Sequence, residues 1–277
     1  MTKPPTLPAR KSHLIIAPQS AGRIGKSTAA EAIVTWAKFA GVPVAVLDLD
    51  AEHKTISQRY PDDSTVFPEA AAGDDGFMEL LTAVGETPAP LIVADFPAQA
   101  TEHLLRQLDE RNGLDILDAS GVTVTCLIFP ADDTAARQSA VKCVSVLGDR
   151  VKWLVVRQPG PKPLIDPEGW KESKLGQKLM EYGAGELVLP RLSTPTREAY
   201  EVACKAAGRW LSFAEAKDKV TLAAGFELDL WHNAALATCE KQASFLIPDE
   251  KLIKKMVVRV KAPVLVKQPT GGLGLDL

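Results

Sequence analysis

The chain has 277 residues, 46% hydrophobic and 24% charged, with a formal net charge of −3 and a sequence pI near 5.9. This size and composition are typical of a globular protein with one sizeable core, and the net charge gives no overall electrostatic case for binding nucleic acid. Neither an apolar leader nor an apolar run of membrane-spanning length is found, so we expect a cytoplasmic protein. The four cysteines lack metal-ligand spacing and are expected to be reduced core residues.

The first predicted elements are an apolar strand over residues 14–17 and a helix over residues 29–40, joined by a turn of small residues. Gly22 and Gly25 let the backbone amides of this turn approach an anion, and the helix that starts near Lys26 directs its positive dipole end to the same place. Lys26 supplies a charge for β and γ phosphates, and the Ser27 hydroxyl is a ligand for Mg²⁺. The turn therefore predicts a phosphate-binding loop.

The loop departs from the general pattern G-x-x-x-x-G-K-[ST] at one position, because Ser20 stands where the first glycine is expected. A strand, turn and helix with an incidental Gly-Lys-Ser is therefore the alternative interpretation, and the acidic residues further along the chain decide against it.

Two later apolar strands end in acidic residues. The run over residues 42–50 ends in Asp48 and Asp50, and the run over residues 91–95 ends in Asp95. The carboxyl ends of parallel strands share one edge of a sheet, so we expect these carboxylates to lie beside the phosphate loop. One carboxylate can hold a metal ion through water and another can orient an attacking water molecule.

The three motifs together resemble the ParA/MinD family of P-loop ATPases, whose loop is usually written K-G-G-x-G-K-[ST]. The similarity extends over about residues 12–215 and includes VLDLD, VADFPA and LPRLSTPTREAYEVA. The resemblance implies that Lys26 and Thr28 contact phosphates, Ser27 ligates magnesium, Asp50 positions water, and Asp48 and Asp95 support the metal. The residues that align with the family loop are Ala21, Gly22, Arg23, Ile24, Gly25, Lys26 and Ser27.

The chain differs from the family at several functional positions. The signature lysine that reaches across a dimer falls on Ala21, and Arg23 replaces the second glycine. Arg23 either acts in trans as an arginine finger or lies in solvent. Lys54 is a candidate replacement for the missing lysine. Where relatives often have an adenine-recognising asparagine, this chain has Arg157 and Gln158, and candidate neighbours of the base are Arg157, Pro190, Arg191 and Leu192.

The rest of the chain alternates between predicted helices and strands, which indicates an α/β fold with a doubly wound, mainly parallel sheet flanked by helices. Residues 51–65 and 96–103 are predicted to be segments whose order depends on bound nucleotide. The further helices are predicted over residues 76–84, 103–117, 133–147, 170–182 and 194–210, and the further strands over residues 122–129, 151–156 and 186–189.

We expect three parts: a disordered arm (1–11), the ATPase domain (12–215) and a C-terminal helical and basic extension (216–277) with a helix over residues 228–245. The stretch Lys251–Lys267 interleaves basic and apolar residues, and structural packing, DNA, a membrane surface or a protein partner are all open as its contacts.

The resemblance implies an ATPase that binds ATP or ADP with Mg²⁺, forms a homodimer with ATP, and acts on DNA or a DNA-bound adaptor protein in plasmid segregation, positioning or conjugative transfer. The alternatives are a nucleotide-binding adaptor with little or no hydrolysis, a membrane-associated positioning ATPase, and a small-molecule ligase or kinase.

Overall fold

The computed structural model describes residues 12–20, 22, 24–50, 54–67, 74–97, 101–130, 133–157 and 169–247. The predictions for the arm 1–11, for Ala21 and Arg23, and for the stretch 251–267 lie outside these residues. The boundary between residues 215 and 216 stays a prediction.

A seven-stranded sheet forms the centre of the molecule, and every pair of neighbouring strands is parallel. The strand order β3-β2-β4-β1-β5-β6-β7 places β1 in the middle, with β4 between β1 and β2. The predicted α/β fold class with a parallel sheet is confirmed. The strands are β1 (Ser12–Ile16), β2 (Val44–Asp48), β3 (Ser64–Val66), β4 (Leu91–Asp95), β5 (Val122–Ile128), β6 (Lys152–Arg157) and β7 (Gly185–Val188).

Helices cover both faces of the sheet, so the central strands are apolar on both sides. Ile15 packs into one hydrophobic cluster with α1, α2 and α8 to α11, whereas Leu14 and Ile16 pack into a second cluster with α3 to α7. The helices are α1 (Lys26–Ala40), α2 (Thr55–Arg59), α3 (Asp74–Glu86), α4 (Thr101–Asp109), α5 (Gly113–Ala119), α6 (Thr134–Leu147), α7 (Lys174–Glu181), α8 (Thr194–Ala207), α9 (Phe213–Ala216), α10 (Leu222–Lys241) and α11 (Ala243–Leu246).

The single helix predicted over residues 103–117 is wrong, because the chain forms two helices, α4 and α5, with a turn between them. Asn112 adopts a left-handed conformation with φ of 55°. A Cβ atom on Gly113 would lie 2.8 Å from the Phe77 ring and 2.9 Å from the Gln107 carbonyl oxygen, so only glycine fits this close approach. The Asn-Gly pair is a turn signal that the continuous apolar spacing concealed.

Other predicted boundaries also change. The helix predicted over 170–182 is a 3-10 turn (Gly169–Glu172) followed by α7, whose Ser173 cap accepts a hydrogen bond from the Gly176 amide. The helix predicted over 228–245 begins earlier, at Leu222, because Thr221 caps it by accepting a hydrogen bond from the Ala224 amide. The short elements α2 and β3 were not predicted.

Helix α10 packs against α1 and belongs to the main core. Leu228, Trp231 and Ala235 are buried in the same cluster as the inner face of α1. Trp36 of α1 donates a hydrogen bond of 2.9 Å to Glu240 of α10. Among the described helices, none is long and apolar enough to span a bilayer.

Candidate functional site

The carboxyl ends of β1, β4 and β2 bring the predicted motifs to one edge of the sheet. The loop that follows β1 leads into α1, and β4 lies between β1 and β2. Asp48 and Asp95 are register partners on the neighbouring strands β2 and β4. Asp95 is therefore positioned between the loop and the Asp48–Asp50 turn, as the strand-end pattern predicted.

Gly25 forms the junction between the loop and α1. Its φ of 99° and ψ of 18° are left-handed, which glycine adopts without a steric cost. Its carbonyl oxygen accepts the first helical hydrogen bond, 2.9 Å from the Ala29 amide. The first turn of α1 carries no acidic side chain, so its free amides and its dipole give this end of the helix a positive potential.

The Lys26 side chain turns back along the loop and its Nζ donates a hydrogen bond of 2.9 Å to the Gln19 carbonyl oxygen. Burial lowers the pKa of Lys26, and the carboxylates of Asp95 and Asp50 act in the opposite direction. The ammonium group is thus partly desolvated and lies close to both carboxylates. A cation in this environment interacts strongly with an anionic ligand, because little water screens it.

Gln19 holds the loop in place, a role that sequence reasoning missed. Its side-chain amide is fully buried and donates to the carbonyl oxygens of Phe129 and Ala136 at 3.0 and 2.9 Å. Its side-chain oxygen accepts from the Phe129 amide at 2.9 Å. A further bond of 2.7 Å joins the Ser20 amide to the Ser139 hydroxyl. The loop is therefore anchored to β5 and α6. A polar residue three positions after a buried strand was the available signal.

Ser27 and Asp95 are joined by a hydrogen bond from the serine hydroxyl to Oδ2 of the carboxylate, with a length of 2.9 Å. Asp95 is only 4% exposed. Burial raises its pKa to about 6; the Ser27 hydrogen bond lowers the pKa and the Asp48 carboxylate raises it. The pair brings a hydroxyl and a carboxylate oxygen to the start of α1, and these are hard donors of the kind that Mg²⁺ prefers.

Asp48 and Asp50 occupy different environments. Asp48 is fully buried, with Oδ1 accepting from the Asp50 amide at 3.1 Å and Oδ2 accepting from the Ser57 amide at 2.9 Å. Asp48 therefore links the end of β2 to the first turn of α2. Asp50 lies two residues after β2 and is half-buried. Its carbonyl oxygen accepts a hydrogen bond of 2.9 Å from the Lys54 amide. The predicted metal role of Asp48 and the predicted water-positioning role of Asp50 stay predictions.

A buried ion pair ties α2 to α1 beneath the loop. Arg59 and Glu31 are 7% and 1% exposed, and the Arg59 Nη1 lies 2.9 Å from Glu31 Oε2. Arg59 also donates to the Tyr200 hydroxyl at 3.0 Å, and Glu31 Oε1 accepts from the Phe213 amide at 2.7 Å. These contacts connect α1 and α2 to α8 and α9. Sequence reasoning missed both residues.

The remaining predicted residues are more dispersed. Ile24 packs against the core, Gly22 is exposed, and Thr28 is half-buried in the first turn of α1. At the same edge of the sheet but two strands from β1, Arg157 forms an ion pair of 2.7 Å with Glu186. In the segment after β7, the Pro190 carbonyl accepts from Trp231 Nε1 at 2.8 Å and Arg191 is exposed. Strands lie about 4.8 Å apart, so the predicted base neighbours begin roughly 10 Å from the loop strand.

No protein-family model and no curated protein matches the chain. Among solved structures, the chain is similar to a plasmid partition protein from Borrelia burgdorferi, with 14% identity and a TM-score of 0.35. The similarity covers 66% of this chain and 90% of that chain. A likeness at this level carries no functional inference.

Proposed function

We propose that this chain is a P-loop ATPase that binds ATP or ADP with Mg²⁺ at the amino end of α1. The observation that supports the proposal is the meeting of Lys26, Ser27 and Asp95 at one sheet edge, next to the Asp48–Asp50 turn. A partly buried ammonium, a helix amino end and a hydroxyl beside a carboxylate suit a magnesium-bound triphosphate.

The loop residues would bind the phosphates. Backbone amides from Gly22 to Thr28 and the Lys26 ammonium offer donors to phosphate oxygens, and Gln19 keeps Lys26 in position. The Ser27 hydroxyl and the Asp95 carboxylate would hold Mg²⁺, which neutralises phosphate charge when bound. In the described part of the chain no three acidic, histidine or cysteine side chains gather as a metal site, so phosphate oxygens and water would supply the other ligands.

Asp50 would orient the water that attacks the terminal phosphate. Its backbone amide is held by Asp48, and its half-buried position leaves it at the open edge of the sheet. Phosphoryl transfer depends mainly on positioning and electrostatic stabilisation, so a fixed carboxylate is sufficient for this step. Arg157, Pro190 and Arg191 are proposed to lie beside the base.

The proposed activity is that of a switch. Nucleotide would reposition the segments that follow Asp50 and Asp95, residues 51–65 and 96–103, and would thereby stabilise a homodimer. Ordering of the whole of these segments by nucleotide is not proposed, because α2 and the starts of β3 and α4 are already formed within them. The cargo, DNA or a DNA-bound adaptor in plasmid segregation, positioning or conjugative transfer, is proposed from the motif resemblance alone.

A second candidate is a nucleotide-binding adaptor with little or no hydrolysis. Ala21 supports it, because this position carries the signature lysine in the family that the motifs resemble. A membrane-associated form would use the basic stretch Lys251–Lys267, which lies outside the described residues.

Light scattering after size-exclusion chromatography, combined with phosphate release, tests the switch against the adaptor. Wild type, Lys26→Ala and Asp50→Ala are each compared with ADP, ATP and a slowly hydrolysed ATP analogue. The switch predicts a dimer only with triphosphate, slow phosphate release in wild type, and none in Asp50→Ala. Nucleotide binding without a change of oligomeric state or turnover favours the adaptor, and absence of nucleotide binding contradicts both.

A further inference from the structure

Helix α10 carries an exposed apolar face in addition to its buried one. Leu222, Phe226 and Leu230 are 93%, 67% and 54% exposed. Their spacing of four residues places them on one side of the helix. The opposite side, with Leu228 and Trp231, is buried in the core. Three large apolar side chains on the solvent side of a helix are normally covered by another element, and this face has no such cover in the described residues.

The charges on α10 favour a basic partner. From Leu222 to Lys241 the helix has three acidic residues and one basic residue, Lys241, at its carboxyl end. Glu227 is bonded to the Ser193 and Thr196 side chains, and Asp229 lies 3.2 Å from the Lys217 ammonium. Helical spacing places Glu227 and Asp229 on either side of Phe226. The apolar face is therefore flanked by carboxylates.

The chain itself supplies a segment of matching composition after Ile247. Residues 251–267 contain six lysine and arginine residues and no acid, interleaved with apolar residues. The exit point of this segment is fixed, because the His13 ring and the Thr125 hydroxyl both bond the Phe245 carbonyl at 2.7 Å. Helix α11 directly follows the carboxyl end of α10, so the segment starts at one end of the helix whose face is exposed.

The segment is also long enough to reach the whole face. At 1.5 Å per residue, Leu230 lies about 17 Å and Leu222 about 29 Å from the carboxyl end of α10. An extended chain advances about 3.3 Å per residue, so roughly nine residues after Ile247 span that distance. Residues 251–256 can therefore lie along the face and place lysine side chains near Glu227 and Asp229.

We propose that residues 251–256 bind the exposed face of α10 within the same chain and cover Leu222, Phe226 and Leu230. The apolar residues of the segment bury the face, and its basic residues pair with the flanking carboxylates. This intramolecular cover does not depend on nucleotide binding or hydrolysis, so it holds or fails independently of the proposed function.

A cysteine reporter on the face tests the cover in the full chain. All four native cysteines are buried, so a maleimide reagent labels an introduced surface cysteine selectively. Phe226→Cys is labelled in two charge-reversal backgrounds. The test background is Lys254→Glu with Lys255→Glu, which keeps every apolar residue of the segment. The matched control is Lys174→Glu with Lys178→Glu on α7, which lies in the opposite helix layer. Met78→Cys, at a position 53% exposed on α3, reports on global changes.

The cover predicts that Phe226→Cys reacts about tenfold faster in the Lys254/Lys255 background than in the control, because a face covered nine-tenths of the time leaves one-tenth of the molecules reactive. Met78→Cys should react equally in both. Equal rates for Phe226→Cys overturn the proposal.

Cross-linking decides between one chain and two without any charge change. Phe226→Cys combined with Ile253→Cys, the apolar residue that an extended chain brings beside Phe226, treated with a short bismaleimide, should give a link within one chain at every protein concentration. A link found only between chains assigns the face to a second copy and overturns the intramolecular cover. Absence of any link also overturns it.

Discussion

The Ser27 hydroxyl donates a hydrogen bond of 2.9 Å to Asp95 Oδ2, which joins the first turn of α1 to the end of β4. The carboxylate that accepts this bond is 4% exposed and lies next to Asp48 in the strand register. Burying one carboxylate beside another is unfavourable, and carboxylates in such an environment are typical of functional sites.

We predict that Asp95→Asn stabilises the fold. Burial raises the pKa of Asp95 from 3.8 to about 6. As the pH rises from 3.8 to 6, the unfolded chain releases this proton before the folded chain does, so the folded state loses stability and the full penalty persists above pH 6. Asparagine keeps an oxygen for the Ser27 hydrogen bond and carries no charge. The free energy of unfolding in urea should rise by about 1–3 kcal/mol at pH 8 and by less at pH 4, while any ATP hydrolysis is lost. An unchanged or lower stability at pH 8 would contradict this account.

Asp48→Asn should have the opposite effect on stability. Both carboxylate oxygens of Asp48 accept backbone amides, from Asp50 and Ser57. The asparagine side chain has a single oxygen, so its NH₂ group would face an amide donor in a fully buried position. The expected loss is about 1–3 kcal/mol in the same urea titration. Equal effects of the two Asp→Asn changes would show that the two carboxylates have similar environments.

Replacing one partner of the Arg59–Glu31 pair should lower the free energy of unfolding far more than replacing both partners. Arg59→Met leaves the buried Glu31 carboxylate without its cation and should lower the free energy of unfolding by about 3–5 kcal/mol. Arg59→Met combined with Glu31→Leu should recover most of this loss, because no buried charge remains. A double variant that is less stable than the single one would mean that the pair contributes more than charge neutralisation.

The local signals in the sequence were sufficient to bring three candidate residues to one edge of the sheet. Lys26, Ser27 and Asp95 were predicted because each stands at a fixed place relative to a strand or helix end. Gln19, Glu31 and Arg59 were missed because their partners are distant in the sequence, such as Phe129 for Gln19 and Tyr200 for Arg59. A tertiary contact of this kind leaves no periodic pattern in a single sequence.

Several element boundaries were also missed, because they do not follow the apolar pattern of the sequence. The strands β1, β2 and β4 were found from apolar runs, whereas β3 has only three residues and lies in a polar segment. The apolar spacing of Leu228, Trp231, Ala235 and Cys239 predicts a helix from residue 228, although the Thr221 cap marks the true start at Leu222. The exposed leucine and phenylalanine of this first turn and a half do not fit an amphipathic pattern.

The buried His13 should cause the free energy of unfolding to fall as the pH is lowered. Burial, with a contribution from the Lys152 charge, lowers the pKa of His13 from 6.5 to about 4, while the Phe245 carbonyl acts in the opposite direction. Between pH 6.5 and 4 the unfolded chain binds a proton at this site and the folded chain does not, so about 3 kcal/mol of stability is lost as the pH falls. The effect is measured as the difference in unfolding free energy between wild type and His13→Asn at each pH. The titration of Asp95 changes stability in the opposite direction, but it is present in both proteins and cancels in this difference. A difference that is the same at pH 7 and pH 4 would contradict the assignment of a neutral, buried His13.

The binding of nucleotide phosphates by Lys26 is tested by calorimetric titration of ATP with Mg²⁺ into wild type, Lys26→Ala and Lys38→Ala. Both lysines are on α1, but Lys38 is exposed in its last turn and pairs with Asp63, so it is a matched control. We expect Lys38→Ala to bind ATP with the affinity of wild type. Lys26→Ala should lose about 100-fold in affinity, or roughly 2.7 kcal/mol, because this variant lacks the partly buried cation that contacts the phosphates. Equal affinity of the two variants would contradict the assignment of the loop after β1 as the phosphate site.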